Sequence, residues 1–553
     1  MNSIHRLLWG SILAALCGGV ALGAAYDVGD SARVDAARDS DNWLLHGRTY
    51  DNQRFSPLTQ VNARTIGRLT LFANIHTGVE NSLENTPIVV NGAMFVVTAN
   101  DHVRAYNAIT GDKLWAYDPK LDYAEACCGP QARGVAVAYG KVFVAQFDGV
   151  LAALDAKTGK PVWKTDRTKT HPEPRHDYTY TMAPQVYDGM VIVGTAGAEY
   201  ETRGMVEAYD AATGNKLWEF RTTAAPGEPG GDSWGGTDVW KSGGGSIWNT
   251  PAVDSEHGLL IMATGNPNPD YQGTTRPGDN AYTDSILALH AKDGSLAWWY
   301  QEVPHDMWDY DASAPVMLFD AKDESGKTVP AAGEAGKVGN VFIVNRITGK
   351  LLHKSEPFVY QSANMFTPPN AAGVTLSPGV SGGSLWQPPA FSPRTHLFYV
   401  LGANTPMTFT TIDFKDSPAG GPWVGRHTGG VMKVGEGPRS GTLSAIDVNT
   451  GRITWQYKAA QPIFGGVLAT ASDLVFAGEQ NGDFDAFDAR TGEKLWSHNL
   501  GAGVCTPSIT YRIAGVQYIA VGAAGCRSGH LPNGQPGYGD TIAIFALSDR
   551  IRR

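Results

Sequence analysis

One phrase recurs along this chain and restricts its fold more than any other feature: Ala-x-Asp, then Thr-Gly, then a tryptophan four residues after the glycine. The copies read AYNAITGDKLW (Ala105–Trp115), ALDAKTGKPVW (Ala153–Trp163), AYDAATGNKLW (Ala208–Trp218), ALHAKDGSLAW (Ala288–Trp298), AIDVNTGRITW (Ala445–Trp455) and AFDARTGEKLW (Ala486–Trp496). A degenerate copy, VNRITGKLLH, stands at Val344–His353. Each predicts two short β-strands around a tight turn whose glycine accepts a positive φ. Segments ahead of them, such as PIVVNGAMFVVTAND and APQVYDGMVIVGTAG, predict two more strands around Asn-Gly or Asp-Gly. Four strands per unit make a propeller blade, with the tryptophan packed between neighbouring blades. The turn glycines lie 48, 55, 80, 55, 102 and 41 residues apart, and the 102-residue gap has room for one further blade about Ser384–Ala403. The expected fold class is therefore all-β: an eight-bladed β-propeller with tryptophan-docking repeats. TIAIFAL (Thr541–Leu547) is expected to close the ring with the N-terminal segment. A plain seven-bladed scaffold is the alternative. Residues 26–553 read as a single propeller domain, with no linker and no helical unit.

Composition narrows the function. The 553 residues are 42% hydrophobic and 18% charged, with 66 glycines, which suits a globular, turn-rich chain. A net charge of −10 argues against nucleic acid as a partner. The start is distinctive: MNSIHR is basic, Leu7–Leu22 is apolar, and ALGAAYD offers small residues for cleavage. Residues 1–25 are expected to be a secretory signal peptide, which places the mature chain in the periplasm without an integral membrane segment. Removing the leader removes Cys17 and leaves Cys127, Cys128, Cys505 and Cys526, an even number in an oxidising compartment. A hairpin over Ser508–Ile513 and Val516–Gly522, turning at Ala514-Gly515, would bring Cys505 and Cys526 close to opposite each other. Pairing those two leaves the adjacent Cys127 and Cys128 with each other. Neighbouring Cα atoms are about 3.8 Å apart, below the usual disulfide span of roughly 4.4–6.8 Å, so that bond would be strained. Two ordinary buried thiols are the competing reading.

The blades, the YAEACCGPQARG stretch (Tyr123–Gly134) and the loops below resemble the quinoprotein alcohol dehydrogenases, the methanol/ethanol dehydrogenase family that uses pyrroloquinoline quinone. The resemblance runs from about Trp43 to Leu547. It implies that Cys127 and Cys128 form a ring against one face of the cofactor, with Trp248 of GGGSIWNT on the other. Flat faces on both sides suit a planar tricyclic quinone. It also implies cofactor contacts from Arg133, suited to a carboxylate, from Thr181 in YTMAP and from Ser246 in GGGSIW. Gly197 and Ala198 of TAGAEY match a backbone contact, Glu84 of SLENTP reaches the ring, and Lys337 of GKVGNVF stands near the quinone oxygen. A cation there would stabilise charge as the quinone is reduced.

The implied metal ligands are Glu199 in GAEY, Asn266 in ATGNPNP and Asp309 in HDMWDYD, all hard oxygen donors. Asp309 is also the implied general base, taking the alcohol's proton as hydride moves to the quinone. Asp311, two residues on, resembles the extra acid of lanthanide-dependent members and is taken as a fourth ligand. One lanthanide ion is expected, with calcium the alternative. Some positions depart from the family pattern: Leu385 precedes Trp386 where a polar residue is usual, Phe464 replaces a tryptophan, and GAAGCRSGH carries Cys526. These departures favour an alcohol larger than methanol. No Cys-x-x-Cys-His occurs, so no covalent haem is expected, and a soluble cytochrome c is the expected electron acceptor. A homodimer is one assembly open to the chain. The function expected is oxidation of a primary alcohol to the aldehyde; a sugar, polyol or aldehyde dehydrogenase on the same cofactor and a non-catalytic scaffold for outer-membrane assembly are the alternatives.

Overall fold

The computed structural model describes residues 26–122, 128–169, 178–412, 428–525 and 538–551. The repeat phrase folds as expected. In the first unit Ile88–Val90, Ala93–Val97, Val103–Asn107 and Lys113–Tyr117 lie side by side in chain order, all antiparallel. The first two strands are wholly buried, while the last alternates exposed and buried residues. Valine, isoleucine and phenylalanine on both faces of the leading strands produce this gradient, because those strands have no solvent side.

Among the described residues, eight sheets have four or five strands each, and a ninth is a three-stranded insert. Six of the eight follow the first unit's plan over residues 136–166, 185–221, 252–301, 317–354, 390–459 and 468–499, the last with Phe55–Ser56 added in parallel. The eighth joins the two ends of the chain: Leu69–His76 pairs antiparallel with Thr541–Leu547, alongside Val516–Ala523 and Ile509–Ile513. One expectation needs correcting. The segment about Ser384–Ala403 is not an additional unit, because its strands Ala390–Ser392 and Leu397–Asn404 pair with Ser440–Asp447 and Ile453–Ala459, the copy carrying Trp455. The rest of the long gap holds the insert: Val374–Leu376, Met407–Thr411 and Gly430–Val434.

The phrase also explains how one sheet seats the next. In the second copy the Asp155 carboxylate accepts hydrogen bonds from the Lys157 and Thr158 amides and the Thr158 hydroxyl, which closes the turn. Gly159 then takes φ 70°. A Cβ on it would lie 2.5 Å from the Trp115 ring of the preceding sheet, and Trp115 donates its indole N–H to the Ala156 carbonyl at 3.0 Å. The same pairing links Trp163 to Ala211, Trp218 to Ala291, Trp298 to Arg346 and Trp455 to Ala489. Where the two chain ends meet there is no tryptophan. Ile75 faces Gly111 instead, and the Tyr511 hydroxyl donates to the Ala108 carbonyl at 2.6 Å.

A strap made of residues 50–56 ties the sheets from within. Tyr50 donates to the Val186 carbonyl, Asn52 to those of Thr250 and Val316, Gln53 to Leu318, and Arg54 to Val467 and Ser508. With the Phe391 amide donating to the Gln53 carbonyl, six sheets are held by these seven consecutive residues. No described helix is long and apolar enough to cross a membrane.

Candidate active site

A cavity of about 330 Å³ collects most of the residues singled out in the sequence. Glu84, Cys128, Arg133, Thr181, Gly197, Glu199, Ser246, Trp248, Asn266, Asp309, Asp311 and Lys337 all line it. They come from segments between the strands of six of the sheets, so only the ring brings them together. Ala198 is the exception. It is fully buried and does not line the cavity, although its neighbours on both sides do. Gly197, at φ 102°, starts the single turn Ala198–Tyr200 that swings Glu199 inward. Cys127 and Cys526 lie outside the described residues, so neither cysteine pairing is placed; Cys505 is buried beside Leu385, Trp386 and Phe464, against which Trp248 packs.

At one end of the cavity the acids crowd together. Asp309 holds φ 59°, a left-handed conformation unusual for a residue with a side chain. Asp306 enforces it: its carboxylate accepts the Trp308 amide and the Tyr310 amide, both at 2.9 Å, on either side of Asp309. The flanking rings are fixed by the insert region, with Trp308 donating to the Thr367 carbonyl and Tyr310 to that of Pro378. Lys337 bridges the acids, forming ion pairs with Asp309 and, at 2.9 Å, with Asp311. The Asn266 amide donates to the other Asp311 oxygen at 2.5 Å. Burial pushes the Asp309 carboxyl well above the usual range; Asp311 and Glu199 add to the push and Lys337 opposes it. Burial alone would lower the Lys337 ammonium, but the two aspartates outweigh it and hold it above its ordinary value.

The other end is cationic. Arg133 pairs with Glu84 at 3.0 Å, donates to the Thr181 hydroxyl at 2.7 Å, and places its guanidinium carbon 4.7 Å from the centre of the Trp248 ring. Among the described residues its Nε is buried without a partner, as is the indole N–H of Trp386, which also lines the cavity. Orphaned donors of this kind are costly unless a ligand's acceptors meet them. His46 lies close by and is held neutral: burial first, then the Arg54 and Arg133 charges, lowers its pKa to about 3.

The arrangement fits the two groups implied by the sequence. Glu199, Asn266, Asp309 and Asp311 offer only hard oxygen donors, and one ammonium does not balance their charge. Arg133 and Trp386 offer donors to an anionic, acceptor-rich molecule lying on the Trp248 face. Three features were missed in the sequence. Met432 and Val380 add apolar wall from the insert region, and nothing in their local sequence marks them. Asp270 is a fully buried carboxylic acid facing Asp309, Glu199 and Asp311.

Comparison with known proteins agrees with this geometry. A family described as "Glucose/ethanol/alcohol dehydrogenase, beta-propeller domain", designated PQQ, matches residues 43–359 and 353–519. The quinohemoprotein alcohol dehydrogenase ADH-IIG of Pseudomonas putida is 34% identical over 555 residues, spanning 92% of this chain and 76% of that one. The quinohemoprotein alcohol dehydrogenase of Comamonas testosteroni is 35% identical over 537 residues, spanning 89% and 74%. A solved structure of a europium-containing methanol dehydrogenase superposes with a TM-score of 0.84 at 28% identity, covering 94% of this chain and all of that one.

Proposed function

The chain belongs to the PQQ-dependent alcohol dehydrogenases, and on that footing we propose that it oxidises a primary alcohol to the aldehyde at the cavity around Asp309. One observation carries the reading: Glu199, Asn266, Asp309 and Asp311 share a cavity with Lys337 and with an Arg133 whose Nε lacks a partner. Bound there, pyrroloquinoline quinone would supply the hydride acceptor and a metal ion the Lewis acid. Asp309 would take the hydroxyl proton as the carbinol hydride departs, and Lys337, already paired to it, favours the ionised form that a base requires. Arg133 and Thr181 would hold the cofactor's anionic edge; Trp248, and a ring formed by Cys127 and Cys128, would cover its faces. Glu84, Ser246, Gly197 and Ala198 would complete the contacts.

Glu199, Asp309 and Asp311 set three carboxylates against the one ammonium of Lys337, with the acid Asp270 buried behind them, a balance that suits a trivalent ion. We therefore take the metal to be a lanthanide, with calcium the alternative. Leu385, Val380 and Met432 give the cavity an apolar wall suited to an alcohol larger than methanol. The sheets read as eight blades of one ring, and residues 1–25 as an export signal to the periplasm, where a soluble cytochrome c would receive the electrons.

The test is dye-linked oxidation of a panel of primary alcohols by apo-protein reconstituted with pyrroloquinoline quinone and either lanthanum or calcium. Activity with lanthanum, lost in Asp311→Ala, is the expected result. Calcium-supported activity that survives Asp311→Ala would make that residue a bystander. No activity and no cofactor binding with either ion would overturn the assignment.

A further inference from the structure

Three acids form a second, dry cluster behind the metal-ligand loop. Glu334 is the last residue but one of the strand Thr328–Ala335, Glu302 follows the strand Leu296–Gln301, and Asp284 precedes the strand Ser285–His290. Asp284 and Glu334 are fully buried, and both carboxylate oxygens of Glu302 are buried as well. Among the described residues, both oxygens of Asp284, both of Glu302 and one of Glu334 have no donor. Glu302 and Glu334 face each other, and two carboxyl groups in such a site can hydrogen-bond only when one of them carries a proton.

The cluster touches the segments that carry the ligands. The remaining Glu334 oxygen accepts the Ala314 amide at 2.9 Å, and that carboxylate also takes the Ser313 amide, two residues after Asp311. Gly336 is wedged between the two sides: a Cβ there would stand 2.7 Å from the Asp311 carbonyl and 3.3 Å from Glu302 Oε2. The next residue, Lys337, donates its amide to the Asp311 carbonyl at 3.1 Å. The Asp284 amide donates to Gly265, the neighbour of Asn266.

We propose that Glu302 and Glu334 share a single proton and, through that bond, act as positioning residues for the segment that bears Asp309 and Asp311. The pair anchors the Ser313–Ala314 amides from one side while Glu302 backs Gly336 from the other. If both acids ionise, their repulsion in a dry site pulls Glu334 off those amides and the ligand segment loosens. The charged groups facing the pair are Asp311 on Glu334, Lys354 and Asp284 on Glu302, with Asp306, Asp311 and Arg276 around Asp284. Burial, the largest influence, raises Glu302 well above the usual range and Glu334 to about 8. A proton bound more tightly in the folded state stabilises the fold at low pH, and that contribution is lost as pH rises through about 8.

The inference rests on the metal reading only for what the segment holds. Thermal unfolding of the metal-free protein between pH 5 and 9 tests the shared proton, with Glu302→Gln as the probe. An amide donates to Glu334 without a titratable proton, so the alkaline fall in melting temperature expected of the wild type should flatten in Glu302→Gln. A parallel terbium titration, read by luminescence, tests positioning: Glu302→Gln should bind within about twofold of wild type, and Glu302→Ala about tenfold or more weakly. The same alkaline fall in Glu302→Gln and wild type would overturn the proposal, as would unchanged terbium affinity in Glu302→Ala. Wild type that binds no terbium would sink the metal reading alone, leaving the pH profile to decide on the proton. If Glu302→Ala does not fold, the Glu302→Gln profile still decides.

Discussion

His46 and Lys337 show how differently two basic side chains fare at and beside one cavity. His46 is kept neutral, with a pKa near 3, while an unfolded histidine takes up a proton below about 6.5. The unfolded chain therefore binds more protons than the folded one between those values, and stability must fall as pH drops through that window. Replacing His46 with Gln should flatten the acid limb of a melting-temperature profile measured from pH 4 to 7. Lys337 is charged and bonded to two aspartates, so Lys337→Ala leaves buried acids without their partner. In steady-state assays of the reconstituted enzyme, kcat should fall by about 10²–10³-fold, with a smaller change in KM. The acids at 199, 309 and 311 and the lysine were legible in the sequence because each sits in a short phrase of distinctive residue types. Glu302, Glu334 and Asp284 were not, since each is a single acid at a strand end whose meaning appears only when two sheets meet. Ala198 shares its phrase with Gly197 and Glu199 but is buried just behind them, so the phrase alone did not tell which of the three line the cavity.

Sheets are added to this ring through a docking step repeated along the chain, and that step was legible because every part of it is local. Asp, Thr and Gly close the turn within a few residues, and the tryptophan meets the next copy's glycine. Trp115→Ala should cost about 3–5 kcal/mol in denaturant unfolding, the range for loss of a large buried ring. Trp115→Phe keeps most of the packing and removes only the bond to Ala156, so about 1 kcal/mol is expected. The unit joining the chain ends has no tryptophan, and for that reason the count of phrases alone misplaced it. One sheet's origin departs from the expectation: the segment about Ser384 belongs with Trp455, and a further unit comes from pairing Leu69–His76 with Thr541–Leu547. The insert strands Met407–Thr411 and Gly430–Val434 carry no repeat phrase, so their contribution to the cavity wall was invisible until the fold was known.

For the whole molecule the strap at residues 50–56 matters most. Arg54 is fully buried and gives its guanidinium to the carbonyls of His46, Val467 and Ser508. Arg54→Met should lower stability by at least about 2 kcal/mol, because three carbonyls lose a charged donor. The partners of this strap lie as far as 454 residues away along the chain. A ribosome makes those seven residues before any of the sheets they hold, so for most of synthesis they have nothing to grip. Assembly therefore runs against the order of manufacture, and the clasp that locks the ring is among the first pieces made and the last that can close. Such long-range closure slows folding. In pulsed hydrogen exchange during refolding, the amides bonded to the strap, at Val253, Leu318 and Phe391, should gain protection later than those inside any single sheet.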